Sequence, residues 1–98
     1  PDGKQFHDQG EVFLELAKQD PKFYDYALRS YEIATELAPF EYFTPNCLLH
    51  MGSILEQKKE YTKAKQKYEE ALEIFSSLDE IEKMKECEQE LSSIQQHL

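Results

Sequence analysis

Two stretches decide how this chain folds: Tyr26–Ala38, YALRSYEIATELA, and Lys63–Phe75, KAKQKYEEALEIF. Laid over each other 37 residues apart, they pair Ala27 with Ala64, Tyr31 with Tyr68 and Ala34 with Ala71. Glu32 and Glu36 meet Glu69 and Glu73 in the same register. A small, a large and a small residue at helical spacing is a packing device. The alanines let a neighbouring helix approach, and the tyrosine fills the groove between them. Helical hairpins too short to bury their own apolar sides gain a continuous core when stacked, so a recurring device predicts a recurring unit.

Working outward, Tyr24, Ala27, Leu28, Tyr31, Ala34, Leu37 and Ala38 hold the helical period. Asp20 is the expected N-cap and Pro21 the first helical residue, and Pro39 ends the helix. Phe40–Thr44, FEYFT, is an aromatic connection. Thr44 and Pro45 repeat the cap-and-proline signal before a helix with Leu48, Met51, Leu55 and either Cys47 or Ile54 inward. Lys58–Thr62 is the next turn. A helix over 62–75 follows, with Ala64, Tyr68, Ala71, Leu72 and Phe75 buried. Ser77–Glu80, SLDE, fits a capping box for a last helix starting at Leu78 or Asp79. Its stripe is Ile81, Met84, Cys87, Leu91, Ile94 and Leu98. That stripe is short for a coiled coil, which favours a helix lying on one neighbour. At the other end, residues 1–10 read as loose. A short helix over 11–19 presents Val12, Phe13, Leu16 and Ala17. No run reads as a strand, so the expected class is all-α, with about five helices in antiparallel helix–turn–helix repeats. Gly52 is the one glycine inside an expected helix, at a cost of about 1 kcal/mol against alanine, which points to close helix approach.

These residues resemble the tetratricopeptide repeat family, whose units are helix–turn–helix. In the second unit Leu48, the pair Met51–Gly52 and Leu55 stand at the family's first-helix positions. Ala64, Tyr68 and Ala71 stand at its second-helix positions, and Ser76 lies where a proline often closes the unit. The first unit matches through Ala27, Tyr31, Ala34 and Pro39. Its first helix departs: the count back from Ala27 reaches Leu14 and Glu15, whereas the apolar phase prefers Leu16 and Ala17 and a turn shortened by two residues. The expected organisation is one helical-repeat domain over 1–98, a fragment of a larger protein. Residues 11–39 form a divergent first repeat, 45–76 a second, and 78–98 a capping helix or partial third repeat. The resemblance implies a protein-binding groove lined by the first helix of each unit, here Asn46, Leu49, Ser53, Glu56 and Gln57. Leu49 stands out as apolar on a side the core does not need. A clamp for a chaperone's C-terminal carboxylate is not expected, since His50 replaces its asparagine and Leu49 and Ser53 supply neither lysine nor asparagine.

Charge and chemistry point the same way. Twenty acidic and 11 basic residues give a net charge of −9. That surface disfavours nucleic acid and anionic membranes and suits a partner with a basic segment. No stretch has the length and apolarity of a membrane span, and no leader pattern opens the chain. Cys47 and Cys87 read as free thiols of an intracellular protein, cytoplasmic or nuclear. His7, His50 and His97 are scattered, and neither a zinc-ligand spacing nor a nucleophile–base pair occurs. The expectation is a non-catalytic interaction module, scaffold or adaptor, with no cofactor and no metal. The alternatives are a structural module self-associating through the last helix and a regulatory domain of a larger enzyme.

Overall fold

The computed structural model describes residues 2–98. Its elements are α1 (Gly3–Ala17), α2 (Phe23–Leu37), α3 (Thr44–Gln57), α4 (Tyr61–Ser77) and α5 (Ile81–Ile94), followed by a short 3-10 turn at Gln95–His97. Among the described residues there is no strand, so the class is all-α. The chain divides into two compact units, Pro1–Cys47 and Leu48–Leu98, with the boundary inside α3.

In the first unit α1 packs on α2. Of the stretch expected to be loose, Pro1 lies outside the described residues and Gly3–Gly10 is helical: Asp2 caps α1 by accepting a hydrogen bond from the Gln5 amide at 3.0 Å. Gly10 then meets the Tyr31 ring so closely that a Cβ there would lie 2.7 Å from Tyr31 Cε1. Tyr31 is fully buried, and its hydroxyl donates to Glu11 Oε1 at 2.7 Å. The glycine that seats Tyr31 is therefore Gly10, not a residue near 14–17. Tyr31 follows Gly10 by 21 positions, whereas Tyr68 follows Gly52 by 16. The first hairpin is thus lengthened where a shortened turn was expected. The extra chain carries a cluster of rings, Phe13 to Tyr26 at 5.4 Å and Phe23 to Tyr26 at 5.9 Å. Val12 and Leu16 are exposed, contrary to the stripe drawn for a helix starting at residue 11, as is Leu37 on α2.

Asp20 and Pro21 form a turn before α2, with the Lys22 amide donating to Asp20 Oδ1 at 3.2 Å. Helical structure begins at Phe23. Thr44 does not cap α3. Its hydroxyl donates to the Ala38 carbonyl at 2.7 Å and accepts from the Glu41 amide at 3.1 Å, folding the aromatic connection back on itself. That connection buries Phe43 and leaves Phe40 96% exposed.

In the second unit α3 packs on α4 and α4 on α5. A Cβ at Gly52 would lie 2.7 Å from Tyr68 Cε1, the same seat that Gly10 makes for Tyr31. Ala64, Ala71 and Phe75 are buried beside Tyr68 on the inward side of α4. Leu48, Met51, Ile54 and Leu55 are buried on α3. Both turns of this unit close in the same way. Lys59 (φ 64°) and Asp79 (φ 55°) take left-handed conformations. The following amides, Glu60 and Glu80, donate back to the carbonyls of Leu55 at 2.9 Å and Phe75 at 3.0 Å. This is the Schellman closure, usually made by glycine. The expected capping box at Ser77 does not form. Ser77 still belongs to α4, its hydroxyl donates to the Ile74 carbonyl at 2.8 Å, and α5 starts at Ile81. On α5, Cys87 and Ile94 are fully buried and Ile81 is exposed, as is Leu98 beyond the 3-10 turn. The His97 ring stacks on Tyr61, centroids 4.3 Å apart, and ties the chain's last turn to the start of α4.

Candidate functional site

The side chains expected to line a groove all come from α3, and their environments differ. Ser53 and Gln57 are exposed, and Asn46 and Glu56 are half-buried. Leu49 is only 6% exposed. The reading of Leu49 as apolar on a side the core does not need is therefore corrected. That reading left out α5, whose Lys83, Glu86 and Glu90 border the same hollow.

The hollow is a shallow cleft of about 150 Å³ in the second unit. Leu49, His50 and Ser53 form the α3 wall, and Lys83, Glu86 and Glu90 the α5 wall, with Tyr68 of α4 completing the lining. It brings Leu49 and Ser53 together. Asn46, Glu56 and Gln57 do not line it. Glu56 nonetheless touches its boundary, because the Tyr68 hydroxyl donates to Glu56 Oε1 at 2.6 Å. The same hydroxyl stands 3.3 Å from Glu90 Oε2. Sequence reading overlooks the α5 wall. Its signal was nonetheless present: Lys83, Glu86 and Glu90 recur at helical spacing, off the apolar stripe of Met84, Cys87, Leu91 and Ile94.

The electrostatics of the cleft are acidic. Lys83 pairs with Glu86 at 3.4 Å. Burial, then the charge of Glu56, raises the pKa of Glu90 above the usual carboxylate range. Burial foremost, and then the hydrogen bond to Glu56, pushes the Tyr68 phenol far up, so it remains a neutral donor. Burial also raises the thiols, Cys47 to about 12 and Cys87 to about 11. Both are protonated at neutral pH, and a protonated thiol is a poor nucleophile.

Among the described residues, no group of three or more His, Cys, Asp or Glu side chains is arranged to hold a metal ion. No helix formed by them is long and apolar enough to cross a membrane. No family model, curated protein or solved structure matches the chain.

Proposed function

We infer that the chain is a non-catalytic protein-interaction module built from repeats of the tetratricopeptide kind. On this reading the α3–α5 cleft receives an extended segment that carries a basic side chain. The observation that carries the reading is the recurrence of one device. A glycine on one helix and a buried tyrosine on the next meet at the same distance in both units, Gly10 with Tyr31 and Gly52 with Tyr68. Chains that repeat a packing unit characteristically use the surface left between first helices for binding. Here that surface in the second unit is concave, bounded by Glu86 and Glu90, and floored in part by Leu49. The net charge of −9 attracts a cationic segment at long range.

Self-association through α5 has less support. Of the stripe that would pair, Ile94 is fully buried within the protein and Met84 and Leu91 are half-buried, which leaves only Leu98 exposed.

A displayed library of extended peptides, selected against the wild-type chain and then re-measured on Ser53→Arg, tests the reading. Ser53 is exposed, so the substitution leaves the core untouched while filling the cleft with a cation. Selected peptides should be rich in Lys and Arg, and their binding should weaken by about tenfold or more, a loss of ~1.4 kcal/mol. A library that yields no binder, or binders indifferent to Ser53→Arg, would remove the cleft from the account.

A further inference from the structure

The Tyr68 hydroxyl poses a problem of counting. It carries one hydrogen. That hydrogen goes to Glu56 Oε1 at 2.6 Å, the shorter of the phenol's two carboxyl contacts. Glu90 Oε2 also lies within 3.3 Å of the same oxygen. If Glu90 were ionised, its oxygen would face a lone pair of the phenol, with a second carboxylate close by. If Glu90 carries a proton, it donates to Tyr68 Oη, and all three groups are satisfied. Two carboxyls on one phenol therefore need one proton beyond the phenol's own.

We propose that Tyr68, Glu56 and Glu90 form a proton-dependent latch that fastens α5 to α3 and α4, and that loss of the proton from Glu90 loosens α5. The three residues come from three different helices of the second unit, so the trio is a cross-helix tie rather than a local contact. The charged and titratable groups facing it are known on each element. From α3 these are Glu56 and His50, from α4 Tyr68, and from α5 Glu86 and Lys83. Lys83 is engaged with Glu86. Burial foremost, then the charge of Glu56 and a hydrogen bond with it, favour the protonated form of Glu90, and they outweigh the Tyr68 hydroxyl, which as a donor favours the carboxylate.

The sign follows from linkage. A group that holds its proton more tightly in the folded chain than in the unfolded one stabilises the fold at low pH. That contribution is lost as pH rises through the folded-state midpoint. The latch is closed in acid and opens toward neutral and alkaline pH, the reverse of a salt-bridged carboxylate. It goes beyond the binding reading above and does not depend on it.

Amide hydrogen exchange across α5, corrected for the intrinsic pH dependence of exchange, tests the latch. Between about pH 4 and about pH 8, protection of α5 relative to α4 should fall by roughly threefold or more in the wild type. Glu90→Gln keeps the size and the hydrogen-bonding capacity without a charge, and its protection should be flat over that range. Glu86→Gln does not touch Tyr68 and removes only the least of the repulsions on Glu90, so it should keep the pH slope with at most a lower midpoint. Carboxyl carbon shifts measured on the wild type give a readout that needs no variant. The Glu90 midpoint should lie above that of the exposed glutamates. An ordinary Glu90 midpoint, or the same slope in Glu90→Gln as in the wild type, overturns the proposal. So does a slope removed equally by Glu86→Gln.

Discussion

At the scale of single residues, the fold turns on two glycines that play one role at nearly the same place along their helices. Gly10 and Gly52 each face a tyrosine ring at a distance no Cβ tolerates. Both rings are buried, and both hydroxyls are held by glutamates, so neither ring can step aside cheaply. Alanine at either glycine gains about 1 kcal/mol of helix propensity. Overpacking against the ring costs about 1–3 kcal/mol. Gly52→Ala and Gly10→Ala should therefore lower stability in denaturant titrations, although alanine is the better helix former. The thiols make a second residue-scale prediction. Cys47 and Cys87 are buried and protonated. A thiol reagent should label the native chain roughly a hundredfold more slowly than the denatured chain. Equal rates would mean that these side chains are open to solvent in the native state.

At the scale of elements, what the sequence discloses depends on whether a signal is carried by side-chain pattern or by backbone conformation. The interior of α2 and α4 is legible because Ala27, Tyr31 and Ala34, like Ala64, Tyr68 and Ala71, combine period with size. All six are buried as expected. The helix ends are not legible in the same way. Ser77 and Thr44 look like caps, yet their hydroxyls bond back to carbonyls of the preceding chain. The turn into α5 is instead made by Asp79 in a left-handed conformation. Lys59 does the same at the turn into α4, where glycine would have announced it. Such a conformation costs a non-glycine residue about 1–2 kcal/mol. Lys59→Gly should recover part of that, about 0.5–1 kcal/mol, seen as a raised denaturation midpoint with unchanged cooperativity. An unchanged or lowered midpoint would contradict the backbone account of this turn. The opening of the first helix, Gly3–Gly10, escapes sequence reading because it is mostly polar and holds two glycines, a composition that reads as loop. Asp2 starts it through a side-chain cap. Asp2→Ala should cost about 1 kcal/mol, visible as faster amide exchange confined to the first turn of α1. The candidate site shows the same division. Ser53 and Leu49 are legible as a side of α3, whereas the α5 wall becomes apparent only once α5 lies across from it.

At the scale of the whole molecule, two compact units share one construction and differ in how much chain links glycine to tyrosine. The longer link in the first unit carries aromatic contacts, and the second unit holds a cleft between α3 and α5. On the proposed reading, with a net charge of −9, raising salt should slow association with a cationic peptide more than it speeds dissociation. Stopped-flow measurements at two salt concentrations check this. A rate of association indifferent to salt would remove charge from the recognition.

The central claim is that each hairpin is set by a glycine seated on a tyrosine ring, and a double-mutant cycle tests it most directly. Gly52→Ala is measured in the wild type and in Tyr68→Leu, and Gly10→Ala in the wild type and in Tyr31→Leu. With the ring present, the added methyl should destabilise by about 1–3 kcal/mol. With leucine in its place, the same methyl should be neutral or stabilising by up to ~1 kcal/mol, giving a coupling well outside additivity in both units. Equal costs in the two backgrounds would mean that the rings do not press on the glycines, and the shared construction of the two hairpins would fall.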